Sequence, residues 1–250
     1  MSVYLPDNRI TAPELWYPGR KPTVPVKVNW NHPLTKGLVS ALIPSDSGNF
    51  IFDYVANRKI EVDLVRNGVV IFDGTKGYAV GASAMGGQSG CTVTARAYTN
   101  STNSNNNIVS SHSGLYVGQD EFLSLRFDVV GVWSGNSNVF KAAFVNQGDA
   151  GIESKANSYQ VGKFCTVSSS WKRGDSFGEA YVNGLNSTSD GRNAIVQTQT
   201  ALSSGQVYLG QGPQQPLDGG ISFVFLHNRK LSDSEIASLH LNPYQFLEAA

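Results

Sequence analysis

Between Leu34 and Leu226 the chain is a succession of short β-like runs separated by turn signals, and the first helical pattern comes only after Lys230. GVVIFDG, GYAVGAS, CTVTARAY, NIVSS, LSLRFDVVGVW, VFKAAFV, KFCTVSSSW, YVNGL, VYLGQ and ISFVFL follow one another with Asp-Gly, Asn-Gly or polar loops between them. Strands that alternate with tight turns pair antiparallel with their neighbours, and several at this spacing build a sandwich or barrel. No fixed period recurs, which excludes a propeller or solenoid. CTVTARAY alternates Cys91, Val93, Ala95 and Ala97 with Thr92, Thr94, Arg96 and Tyr98, and reads as a strand buried on one face. Helix signals meet only in LSDSEIASLH. There Ser232 can cap the first turn, Glu235 completes a capping box, and Leu231, Ile236 and Leu239 share a face. Pro243 stops that helix. The expected fold class is all-β: an antiparallel jelly-roll sandwich with an extended N-terminal arm and one short C-terminal helix.

Three regions follow. Residues 1–33 hold six of the ten prolines together with Trp16, Tyr17 and Trp30. Proline fixes φ and removes donors, so this stretch reads as an extended arm whose aromatic side chains either anchor on a partner or pack back on its own domain. Deleting Met1 to Lys27 is expected to leave the sandwich folded. Residues 34–240 form the sandwich, in which Leu34, Leu38, Val39, Leu42 and Ile43 give the first strand its buried side. Residues 241–250 are a tail that packs on the domain or on a neighbour.

Lys and Arg number 19 against 19 Asp and Glu, so no net field draws the chain to nucleic acid or to anionic lipid. No apolar run approaches a membrane span, and no secretory pattern opens the sequence. Cys91 and Cys165 each lie in a β-like run and read as buried free thiols rather than a disulfide.

VVIFDGTKGYAVGA, CTVTARAY, and the run from AYVNGL to RKLSDSEIASLH resemble, in this order, the concanavalin A-like lectin/glucanase jelly roll. The likeness is to its laminin-G-like and pentraxin-like branch, over roughly Leu34 to His240. VNWNHPLTKGL and LHLNPYQFLEA are similar to the ends of laminin-G-like proteins carried on tailed-phage particles. That narrower resemblance implies a capsid decoration protein on the virion exterior, made in the host cytoplasm. Its partners would be the major capsid protein or other virion subunits, and a homotrimer is plausible on threefold sites. Trp16, Tyr17 and Trp30 would be its partner-binding anchors. The alternative is a lectin-like module gripping host glycan, with Trp133 and Trp171 as stacking platforms, although core or sheet packing is the simpler reading of both.

Enzymatic function is not expected. Glycosidases of this superfamily carry E-x-D-x-x-E on one strand, placing two carboxylates about 5–5.5 Å apart for retention. The nearest string here is EVDLVR, in which Arg66 stands where the last carboxylate would be, beyond Glu61 and Asp63. No hydrolysis of β-glucans is expected. Asp73, Asp120, Glu121, Asp128 and Asp218 are the oxygen ligands available to Ca²⁺, but no dense acidic loop gathers them, and Asp73 and Asp218 read as turn residues before glycine. His32, His112, His227 and His240 have no metal or triad spacing, and the glycines of GQGPQQPLDGG lack a P-loop lysine. No cofactor is expected.

Overall fold

A computed structural model describes residues 21–22, 25–82, 90–102, 106–110, 122–130, 137–145, 152–172, 175, 178–189, 206–211 and 216–250. Its strands begin with β1 (Val26–Val28), β2 (Leu38–Pro44), β3 (Phe50–Asp53), β4 (Arg58–Glu61), β5 (Val65–Arg66) and β6 (Val69–Asp73). There follow β7 (Tyr78–Ala82), β8 (Gly90–Thr99), β9 (Asn106–Ser110), β10 (Phe122–Val130), β11 (Ser137–Val145) and β12 (Ile152–Glu153). The last are β13 (Cys165–Lys172), β14 (Glu179–Val182), β15 (Leu185–Asn186), β16 (Gln206–Leu209), β17 (Asp218–His227) and β18 (Leu247–Ala249). Helix α1 (Asp233–Leu241) separates β17 from β18.

Two antiparallel sheets face one another. One runs β12-β11-β10-β9-β16-β7, and the other β15-β14-β13-β8-β17-β2-β3-β4 with the β5–β6 hairpin set on β17. Between them lies the main core, built from the inward positions of both sheets, among them Val93, Ala95, Phe127, Phe140, Val167 and Val224. Cys91 and Cys165 are free thiols in this layer, and burial pushes both thiols up, Cys165 to about 12. The expected all-β sandwich with a short late helix is what forms.

The larger sheet is covered on its second face too, which makes three layers. Helix α1 starts on the expected capping box, with Ser232 and Glu235 each accepting from the other's backbone N–H. Arg229 donates to both carboxylate oxygens of Glu235 at 2.9 and 2.6 Å, and this pairing holds that carboxyl down to about 2. Leu231, Ile236 and Leu239 are buried together with Ala41, Ile43 and Phe225. The Asn-Pro-aromatic end of the chain closes the layer. Phe246 meets Phe225 edge-on at 5.1 Å, and Tyr244 meets Phe223 at 6.1 Å.

This cover corrects the one-sided reading of β8. Thr92 and Thr94 point away from the main core, yet both are fully buried, because the Arg229–Leu231 segment and β13 lie against them. Hydroxyls satisfy one another there: Thr92 with Ser170 at 2.7 Å, and Ser168 with Thr94 at 3.0 Å. Strand β2 is likewise buried on both sides, with Leu42 in the main core and Leu38, Ala41 and Ile43 in the outer layer.

The inner boundary of the arm also moves. Val26–Val28 pairs with Leu247–Ala249, Val28 is buried, and Asn29 N–H donates to the Phe246 carbonyl. Residues 25–33 are therefore part of the domain, and deletion through Lys27 would remove a strand that fastens the C-terminus. The physical reason is partner availability: extended residues between prolines keep enough N–H groups to pair with an edge that the tail supplies.

His227, at the end of β17, is fully buried, with Nε2 hydrogen-bonded to the Leu34 carbonyl at 2.9 Å. Desolvation, only partly opposed by that bond, pushes the imidazole down to about 4. A depressed folded pKa means that this stabilisation is full above the unfolded value, about 6.5, and is lost as pH falls through 6.5 toward 4. The expected loss is about 3 kcal/mol over that window. Urea melts at pH 7 and pH 4.5 should show it, and His227→Gln should flatten the slope.

Candidate functional site

The candidate site arises where β17 changes partners. Asp218 to Ile221 pair with β6, and Val224 to His227 pair with β2, while β8 stays on the other side throughout. The β8 register slips between Ile221 and Phe223, a bulge at Ser222. Strands β2 and β6 therefore meet β17 along separate stretches. At the switch lies a pocket of about 410 Å³ lined by Lys21, Asp46, Asn67, Arg96, Phe164 and Ser222, and closed by Pro243 and Tyr244 of the tail.

Each wall has a local cause. Asn67 and Gly68 form a two-residue hairpin loop with φ of 52° and 68°, the mirror-image turn that Asn-Gly favours. A Cβ on Gly68 would come within 2.4 Å of Asp46 Oδ1, so glycine there admits the Lys21–Asp46 ion pair, 3.5 Å long. Desolvation is the largest influence on the Lys21 ammonium and holds its pKa below the ordinary value, against the pull of Asp46. Phe164 follows a turn in which Gly162 N–H donates to the Thr99 carbonyl at 2.7 Å, and it is 39 % exposed. Its ring meets Tyr98 edge-on at 4.7 Å, and the Arg96 guanidinium lies 5.5 Å from its centroid.

Arg96 is half-buried, and its guanidinium makes no hydrogen bond or ion pair with any described residue. It occupies the outward face of β8, on the same face as Thr92 and Thr94 and within electrostatic reach of His240 near the end of α1. At the wall of this pocket an unpaired guanidinium thus stands beside an exposed ring, an amide and hydroxyls. That combination can hold an anionic, polar ligand with one flat apolar face. Tyr244 is buried, and desolvation pushes its phenol up to about 12, so it serves as a neutral hydroxyl.

The residues singled out in the sequence fall elsewhere. Trp171 is only 3 % exposed and packs in the main core, so it offers no platform. Its position on β13 alternates with the outward Thr166, Ser168 and Ser170, which turns it inward. Trp133, Trp16 and Tyr17 lie outside the described residues, as do His112, Asp120 and Glu121. Trp30 is 58 % exposed, on the loop after β1. Asp73 accepts from both the N–H and the hydroxyl of Thr75, as a turn residue does, whereas Asp218 opens β17 and accepts from the distant Asn100 amide. Glu61 pairs with Lys59, and Asp63 with Lys76. Among the described residues no three His, Cys, Asp or Glu side chains gather as metal ligands, and no helix is long and apolar enough to cross a membrane.

The smaller sheet has its own polar rung, Asn107, Arg126 and Glu153, on the face opposite the core. Asn107, Arg126 and Glu153 are buried and partnered, which makes them structural. The sequence reading missed Arg96 and Phe164. Arg96 was visible only as the charge that interrupts an alternating Thr face; Phe164 carried no signal.

No family model matches the sequence, and no curated protein is significantly similar to it. Solved structures do share the fold. A Trypanosoma rangeli sialidase in complex with the inhibitor DANA is similar over 85 % of this chain at 20 % identity, with a TM-score of 0.59. The same sialidase in complex with sialic acid matches over 82 % at 17 % identity, TM-score 0.57. A leech intramolecular trans-sialidase matches over 68 % at 16 % identity, TM-score 0.50. The chain spans 34 %, 33 % and 26 % of those three proteins. What is shared is a sandwich fold, compatible with the lectin-like jelly roll. These likenesses correct the expectation of a capsid decoration protein. The sandwich is shared with sialidases, and the inner part of the supposed docking arm is a strand of the domain itself.

Proposed function

We propose that this chain is a non-catalytic glycan-binding module that holds an acidic sugar in the pocket at the β17 partner switch. The observation that carries the reading is Arg96, an unpaired guanidinium set beside the exposed ring of Phe164 in an open, sugar-sized pocket. An unpaired, half-buried charge is costly for a fold that gains nothing from it, and a carboxylated ligand would complete it. Asn67 and the hydrogen-bonded Ser222–Tyr244 hydroxyl pair lie on the same pocket wall and would meet ring hydroxyls there. The shared fold of sialidases, one of them with sialic acid bound, supports glycan as the ligand class.

A glycan array containing acidic and neutral sugars, followed by titration calorimetry, tests this. Phe164→Ala should weaken binding at least about tenfold with only a modest fall in melting temperature, because the ring is partly exposed and packs mainly on Tyr98 and Arg96. Arg96→Gln should abolish the preference for acidic over neutral sugars. Failure of any acidic glycan to bind overturns the reading.

A further inference from the structure

The Arg96 pocket does not end at its own walls. It shares Lys21 and Asp46 with a second depression of about 400 Å³ over Ser45 and Phe50. The second shares Val26, Phe52 and Tyr54 with a third, of about 590 Å³, that ends at Trp30. Each lies in the size range of small-molecule sites, ~300–1,000 Å³. The three depressions adjoin through these shared residues and together outline a groove, with an exposed aromatic ring near each end: Phe164 at one and Trp30 at the other.

The floor between the ends comes from one strand. Phe50 and Phe52, with Tyr54 just beyond, alternate along β3 with Ile51 and Asp53, so the three rings share the outward face. All three are half-buried; Phe52 and Tyr54 meet edge-on at 4.9 Å. Trp30 is not on a loose segment. His32 accepts from Leu34 N–H, the Thr35 hydroxyl donates to the Trp30 carbonyl, and Asn29 is bonded to Phe246. A large ring held in water by a well-fastened loop contributes little to the fold, and it faces a groove rimmed by Asn57 and Glu248.

We infer that this groove takes one extended acidic glycan across several sugar units, with an anionic unit at Arg96 and a later unit stacked on Trp30. The inference rests on the glycan-binding reading above. A pocket for a terminal sugar alone would not need a second exposed ring beyond a continuous aromatic floor. Units joined in one chain bind the second subsite at high effective concentration, so affinity rises with length until the groove is filled.

The test uses the full chain and two series of one to five units, α2,8-linked N-acetylneuraminic acid oligomers and oligogalacturonates, titrated by calorimetry. Affinity for at least one series should rise about tenfold or more between one and four units. Trp30→Ala should remove that rise and leave the single-unit affinity unchanged, whereas Phe164→Ala should weaken every length. If affinity is flat with length, or if Trp30→Ala retains the full rise, the extended groove is refuted while the Arg96 site stands. If neither series binds the parent protein at any length, both readings fall.

Discussion

Ile236→Asp should destabilise the protein by about 4 kcal/mol. Ile236 is fully buried between the helix and the outer face of the larger sheet, in the cluster with Leu239, Phe225 and Phe246. Its neighbours in that cluster are apolar, so a new carboxylate would be desolvated among them. The helix cannot simply swing away. Its first turn is tied to the sheet through Arg229 and Thr92, and its C-terminus leads into Tyr244, Phe246 and β18. Undocking would therefore expose Phe223 and Phe225 as well. Urea denaturation should show a lower midpoint for Ile236→Asp, while Ser234→Asp, on the exposed side of the same helix, should stay within about 0.5 kcal/mol. An unchanged midpoint for Ile236→Asp would mean that the third layer is not formed.

Asp53→Ala should cost about 3 kcal/mol and also weaken glycan binding. Asp53 ends β3 and is nearly buried. Its Oδ1 accepts from the backbone N–H groups of Ala41, Val55 and Ala56 at 3.2, 3.1 and 3.3 Å, and its Oδ2 from the Ser40 hydroxyl at 3.0 Å. Alanine would strand four donors, two of them in the turn that places Tyr54 and Asn57 on the groove. Loss of a buried acceptor leaves its donors unsatisfied, which costs more than the bonds themselves contribute. Thermal melts would register the first effect. Calorimetry with the longest oligomer that binds the parent would register the second, and Asp53→Asn should recover part of the stability. A variant with parental stability would show that this carboxylate does not organise the β2–β3 turn.

The all-β class, the antiparallel pairing and the capped late helix were legible in the sequence because each depends on neighbours a few positions apart. Alternation in CTVTARAY sets which side chains share a face, Asn-Gly sets a hairpin, and Ser232 with Glu235 sets a helix start. Leu231, Ile236 and Leu239 are buried as their spacing indicates. What a face meets is another matter. The Thr face of β8 is polar and reads as solvated, yet the segment before α1, well over a hundred residues later, covers it and pairs its hydroxyls. Trp171 reads as a candidate platform, and only the register of β13 against β8 turns it into the core. Proline spacing near the N-terminus reads as a free arm, but β18 supplies an edge on which Val26–Val28 pairs. The candidate site is the extreme case. Arg96, Phe164, Asn67 and Lys21 come from four separate segments and meet only because β17 exchanges β6 for β2 at the Ser222 bulge. Local sequence determines how each segment can bend and which side it buries. Which distant segment lies on that side depends on long-range strand pairing, and that pairing, decided only in the tertiary structure, builds the groove.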